Sequence, residues 1–143
     1  MVDCFPEFRY LALVLKCMLK IRGLGETYSG GLGSFLLFCM LLVYLREMQS
    51  KGRYYTLSEH VLRFMEYYAI PSDWQRKRVY VASGLFEERK QDEAHFFSFM
   101  SPQDPEHDIG KSAFKIREVF NVFRNRLRMI LGKNFKKGES VLK

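Results

Sequence analysis

From Leu32 to Leu45 the chain is apolar except for Gly33 and Ser34. A helix that crosses a bilayer needs about 20 such residues, so this run is too short to span one. A segment apolar on every side then has one stable place, the interior of a packed core. The run therefore predicts a buried helix from Gly31 to about Gln49 that the rest of the chain must cover. Immediately before it stands a glycine-rich turn, Tyr28-Ser29-Gly30-Gly31-Leu32-Gly33-Ser34-Phe35. Glycine backbone lets phosphate oxygens approach closely, and a helix N-terminus offers free N–H groups at the positive end of its dipole. Lys16 and Lys20, four residues apart on an upstream helix, project from one face and add point charge. Together these residues sketch a triphosphate site. The lysines alone fit surface residues whose stems cover apolar atoms equally well.

A chain of 143 residues suffices for a single core, and one domain, 1–131, is expected with a basic, mobile tail at 132–143. The net charge of +7, concentrated toward the C-terminus, permits a polyanionic partner without requiring one. Cys4, Cys17 and Cys39 are odd in number and far apart, which suits buried free thiols in a reducing compartment and neither a disulfide frame nor a zinc site. Asp3, Pro6 and Glu7 interrupt any secretory signal pattern, so an intracellular protein without membrane association is expected.

The pattern predicts a mainly α, α+β fold. A first helix runs from Phe5 to Arg22, apolar on nearly every face except a stripe with Arg9, Lys16 and Lys20, which suggests a helix mostly enclosed by protein, and Gly23 ends it. Thr56-Leu57-Ser58-Glu59 reads as a capping box opening a helix from Leu57 to about Ala69, with Leu57, Val61, Phe64, Met65 and Tyr68 facing the core. Between Arg78 and Phe99 alternation, the Ser83-Gly84 turn and His95-Phe96-Phe97-Ser98-Phe99 predict two or three short antiparallel strands. Glu87 to Glu93 is expected as a solvated loop or strand end. A last helix runs from Ser112 to about Leu131, buried through Ile116, Val119, Phe120, Phe123, Leu127, Ile130 and Leu131. Arg124, Arg126 and Arg128 crowd its other side as a candidate RNA-binding surface.

The register Leu15-Lys16-Cys17-Met18-Leu19-Lys20, Arg22-Gly23-Leu24 and Tyr28 to Met40, followed far downstream by Asp104-Pro105-Glu106-His107-Asp108-Ile109-Gly110-Lys111-Ser112, carries a further message. It resembles the central, PAP-associated domain of the Trf-type poly(A) polymerases and terminal uridylyltransferases, within the DNA polymerase β-like nucleotidyltransferases. The resemblance implies that Lys16, Lys20 and Ser34 contact the phosphates of a nucleoside triphosphate, and that Phe35, commonly tyrosine there, stacks on the base. It further implies that Asp104, His107 and Asp108 lie in the loop that recognises the base. The adenylyl-adding pattern, Asp-Pro and then Asn-Asp-Val-Gly-Arg, meets Ser101-Pro102 and His107-Asp108-Ile109-Gly110-Lys111 here, unless Asp104-Pro105 takes the first place. Histidine at the asparagine position is common in the uridylyl-adding branch, so ATP and UTP both remain open. For His107 a plain solvent-exposed loop residue is an equal reading, and Asp108 suits a cap near Gly110. His60 and His95 read as structural.

Nucleotidyl transfer in this superfamily uses two Mg²⁺ ions held by three carboxylates of a separate sheet domain, on a strand carrying Asp-x-Asp. No apolar Asp-x-Asp strand follows Gly33-Ser34, and Asp104-Pro105-Glu106 contains a proline that a central strand excludes. No catalytic and no metal-binding residue is therefore assigned. The resemblance implies the nucleotide-recognising half of an RNA 3′-end nucleotidyltransferase, inactive alone. It is expected as a fragment, a split enzyme or a catalytically dead RNA- or protein-binding remnant. RNA, a catalytic-domain partner chain, helicase and zinc-knuckle subunits and a nuclear location are its implied context.

Overall fold

The computed structural model describes residues 8–26, 29–71, 74–89 and 97–132. Among them the order is α1 (Phe8–Ile21), α2 (Ser34–Ser50), α3 (Leu57–Ala69), β1 (Lys77–Tyr80), β2 (Leu85–Glu88), β3 (Ser98–Met100) and α4 (Ile116–Leu131). Short 3₁₀ turns lie at Trp74–Arg76 and Ile109–Ser112. The mainly helical α+β class expected from the pattern is the one observed. Cys4, His95 and the 133–143 tail lie outside the described residues, as does the charged stretch beyond Arg89 up to residue 96.

The apolar run forms the axis of the core. Leu36, Leu37, Cys39, every residue from Met40 to Leu45, and Met48 are buried, so α2 meets protein around most of its circumference. Packing α1 against α2 and α3, and α3 against α4, provides that cover. Local chemistry sets the helix ends where it was legible. Thr56 Oγ1 accepts from the Glu59 N–H at 3.3 Å while the Glu59 carboxylate accepts from the Thr56 N–H at 3.4 Å, closing the capping box. Gly23 at φ 71° and Gly132 at φ 66° stop α1 and α4 in the left-handed conformation.

Four expectations need correction. First, α1 is not enclosed: Phe8, Leu11, Ala12, Leu15 and Leu19 are buried, whereas Tyr10, Leu13 and Val14 are 59%, 53% and 43% exposed. Its helical neighbours cover one side only, and that is also why Cys17 is exposed while Cys39 is buried. Second, the sheet is mixed. β1 pairs β2 antiparallel, closing at Tyr80 and Leu85 across Gly84, but pairs β3 in parallel with Val79 opposite Phe99. Because β2 returns to the starting end of β1, the chain enters β3 from that end and runs in the direction of β1. Third, α4 begins at Ile116 and not at Ser112, since residues 113–115 leave the helical path to reach the glycine turn. Fourth, Leu57 and Ile130 face solvent, at 38% and 54% exposure. Glu87 and Glu88 form a solvated strand end, as expected.

An aromatic cluster joins helices to sheet. The fully buried Tyr68 donates its hydroxyl to the Met40 carbonyl of α2 at 2.6 Å, and its ring stacks on Trp74 with centroids 5.1 Å apart. Phe64 at 5.0 Å, Phe97 at 6.3 Å and Phe99 at 6.1 Å complete its surroundings. Tyr68→Phe, which removes one buried hydrogen bond, is expected to lower unfolding free energy by about 1 kcal/mol. Tyr68→Ala should cost about 3–5 kcal/mol, both read from urea midpoints. Burial pushes the Cys39 thiol up to about 11. A thiol reagent at pH 8 should therefore modify Cys17 in the folded protein and reach Cys39 only on unfolding.

Candidate functional site

The predicted phosphate residues converge. After α1 the chain turns at Gly23 and folds back, with the Leu32 N–H donating to Leu24 O at 2.7 Å and the Gly31 N–H to Glu26 O at 2.9 Å. Gly31 is required because a Cβ there would collide with the Leu24 carbonyl. Gly30 holds φ +83° with the Phe114 ring packed on it, so conformation and space both demand glycine. This fold-back sets the start of α2 opposite the last turns of α1. Lys16, Lys20, Gly33 and Ser34 line one cleft of about 370 Å³.

The donors of that cleft differ from a simple glycine cradle. The amides of Gly31 and Leu32 are already committed to carbonyls of the turn. The first helical bond of α2 runs from the Leu37 N–H to Gly33 O at 3.0 Å, and no side chain caps the helix. The N–H groups of Ser34, Phe35 and Leu36 thus have no acceptor within α2 and mark its positive end, with the exposed Ser34 hydroxyl beside them. Two ammonium groups and the Glu26 carboxylate line the same cleft. Among the described residues neither lysine forms an ion pair, and Lys16 Nζ lies 5.7 Å from the centroid of Phe38. Such an arrangement can hold an anion of more than one charge.

Phe35 does not line this cleft. It is 44% exposed in an adjoining apolar groove of about 490 Å³ between α1 and α2, together with Phe8, Ala12, Leu13, Phe38 and Cys39. Lys16 borders both spaces. Sequence spacing did not separate these two compartments.

Asp104, His107 and Asp108 form a single tight loop that lines neither cavity. The Asp108 carboxylate accepts from the Phe99 N–H at 3.0 Å, the Gly110 N–H at 2.9 Å and the Ser98 hydroxyl at 2.6 Å. It is the cap the sequence allowed, and it also binds the loop to β3. Asp104 accepts from the Glu106 N–H at 3.1 Å in an Asx turn. The His107 backbone donates to Asp104 O at 2.9 Å and accepts from the Ser101 N–H at 2.8 Å, leaving the exposed imidazole outside both bonds. The loop reaches the glycine turn through its C-terminal side, where the Lys115 N–H donates to Gly30 O at 2.8 Å and the 66% exposed Phe114 covers Gly30. Phe114 escaped the sequence reading; an exposed aromatic between the loop and a helix was the available signal.

On α4, Arg124 is structural in its contacts, donating to Ala69 O at 2.7 Å and to the Asn121 side chain. Burial, and then neighbouring Arg128, lowers its proton affinity. Arg126 is half-buried, and the exposed Arg128 reaches Asn125 at 3.3 Å. His60 is buried with Nδ1 3.0 Å from the Tyr44 hydroxyl, a core role. Among the described residues no group of three or more His, Cys, Asp or Glu side chains is placed to hold a metal ion. No described helix is long and apolar enough to cross a membrane. Gly30→Ala should strain the left-handed backbone and displace Phe114, costing about 1–3 kcal/mol in thermal or urea unfolding. Gly52→Ala, with φ +66° but open space, should cost less.

No family model matches the chain. Its sequence is similar to poly(A) RNA polymerase CID14 of Cryptococcus neoformans, 25% identical with 98% of this chain and 20% of the relative covered. Poly(A) RNA polymerase gld-4 of Caenorhabditis elegans is 27% identical, covering 89% of this chain and 17% of the relative. Poly(A) RNA polymerase cid14 of Schizosaccharomyces pombe is 24% identical, covering 90% and 21%. The chain thus spans about a fifth of the length of the curated relatives it matches. Its fold matches the polymerase core of TRAMP, an RNA surveillance complex, with a TM-score of 0.76 and 21% identity over 92% of this chain and 45% of that one. By sequence and fold together, this chain is similar to one segment of poly(A) RNA polymerases and fits the Trf type.

Proposed function

We propose that the chain is the nucleotide-recognising half of an RNA 3′-end nucleotidyltransferase, binding ATP or UTP but unable to transfer a nucleotide by itself. The observation that carries this reading is the cleft in which Lys16, Lys20 and Ser34 meet the uncapped start of α2. Two point charges, a hydroxyl and aligned N–H groups suit the β- and γ-phosphates of a nucleoside triphosphate. The groove next door, reached past Lys16, offers the exposed face of Phe35 to a base. In this reading the 104–112 loop, which lines neither cavity but is joined to the glycine turn through Lys115, carries the base-reading residues, with His107 weighing toward UTP and the poly(A) polymerase relatives toward ATP.

In transfer, this half would bind and orient the triphosphate. Mg²⁺, held by carboxylates of a separate domain, would supply the charge neutralisation that the chemistry requires. The solvent-facing Tyr10, Leu13 and Val14 beside the cleft offer an apolar surface for such a domain, encoded in the same chain or another. RNA is the acceptor in this reading, and the helicase, zinc-knuckle and nuclear context is proposed from the resemblance to the Trf-type enzymes. The alternative is a catalytically dead RNA- or protein-binding module, favoured by Arg126 and Arg128 beside the exposed Met129 and Ile130 at the end of α4.

Titration calorimetry separates the two readings. Lys16→Ala with Lys20→Ala should weaken ATP and UTP binding by about a hundredfold, the loss of two charge-assisted contacts. Arg126→Ala with Arg128→Ala should leave that binding unchanged, and lower RNA affinity only if the module reading holds. Arg124 is left out because its loss would disturb the α3–α4 contact. His107→Asn should raise the ratio of ATP to UTP affinity. The purified chain with Mg²⁺ and either nucleotide should not extend an RNA primer, and elongation by this chain alone would overturn the proposal.

A further inference from the structure

A third cavity, of about 310 Å³, lies where α2, the end of α3, the turn at Trp74 and the β1–β2 hairpin meet. It shares no lining residue with the Lys16–Lys20 cleft. Three rings wall it. Tyr67 and Trp74 have centroids 5.9 Å apart, Trp74 and Phe86 6.2 Å, and both pairs are tilted. Trp74 is 3% exposed and its indole N–H donates to Tyr68 O at 2.9 Å, so this wall is fixed. Glu47 from α2 and Glu66 from α3 line the same space. Glu47 also pairs with Lys51 at 3.1 Å, an exposed pair of small energy whose ammonium partly offsets the Glu47 charge.

Aromatic faces and carboxylates are both negative, and a partly enclosed site strengthens the attraction of each for a cation. The chain itself illustrates the preference. Lys77 Nζ lies 5.4 Å from the centroid of Trp74 and 5.1 Å from that of Phe86, at the edge of a cavity that remains open with Lys77 in place. The Tyr67 hydroxyl holds its proton well above the ordinary tyrosine range, first because it is buried and then because Glu47 is negative. Two carboxylates disfavour a phosphate or a nucleic acid backbone here, and they equally disfavour a purely apolar guest.

We propose that this cavity binds a lysine side chain presented by a partner polypeptide, with Lys77 as the intramolecular ammonium that competes for the Trp74 and Phe86 faces. The inference is independent of the nucleotide reading, because it uses none of the residues of that cleft. Removing Lys77's charge should therefore strengthen capture, whereas removing the carboxylate charges should weaken it.

Trp74 is the chain's single tryptophan, so its emission reports on the site directly. The intact chain is titrated with a short glycine-serine peptide carrying one lysine, and with the same peptide Nε-acetylated. The lysine peptide should change Trp74 emission saturably at up to millimolar concentration, and the acetylated peptide should not. Lys77→Met, which keeps an apolar stem, should tighten binding about tenfold, and Glu47→Gln with Glu66→Gln should weaken it about tenfold. Urea unfolding of each variant verifies that it is folded, and Glu66→Gln alone serves if the double variant is not. The proposal is overturned by no response to the lysine peptide, by equal binding of the acetylated peptide, or by unchanged or weaker binding to Lys77→Met. It is equally overturned if a short single-stranded RNA saturates the Trp74 response in place of the peptide.

Discussion

A phenol removed from water must find a hydrogen-bond acceptor, and for Tyr68 that acceptor is the Met40 carbonyl in the middle of α2. This bond ties α3 to α2, the helix that contributes the most buried residues. The same ring lies against Trp74, whose indole returns a bond to the Tyr68 carbonyl, and against Phe97 and Phe99 at the sheet. One side chain therefore references α2, the turn into β1, and β3 to one another. Two of the cavities lie at opposite ends of α2: the Lys16–Lys20 cleft at its N-terminus, and the cavity walled by Tyr67, Trp74 and Phe86 beside Glu47 near its C-terminus.

What was legible in the sequence was chemistry completed within a few residues. Thr56 and Glu59 cap each other, Gly23 ends α1, and Lys16 and Lys20 share a face by helical arithmetic alone. The convergence of those lysines with Ser34 was legible too, because the glycine turn joins consecutive helices. The orientation of the turn's amides was not. Gly31 and Leu32 bond to the carbonyls of Glu26 and Leu24, and only the folded geometry reveals that the remaining donors belong to the first turn of α2. The parallel pairing of β3 and the ring of Phe114 on Gly30 depend on contacts distant in sequence, which periodicity does not encode.

The open face of α1 illustrates a different limit. Apolar residues at Tyr10, Leu13 and Val14 read like core positions because hydrophobicity records that a surface prefers cover, whatever provides it. The helix is amphipathic toward this chain's own core and apolar beyond it. Placed next to the cleft, that strip gives the site an apolar border that the described residues leave open to solvent.

The three bonds accepted by the Asp108 carboxylate have an evolutionary reach as well as a structural one. They hold the frame of the loop through β3 and the following turn, while the neighbouring His107 contributes only its backbone to that frame. Frame and letter are thus written by adjacent residues. A change at position 107 alters what the loop displays without undoing how it is held, so single substitutions there can vary the exposed group on a loop that folds equally well.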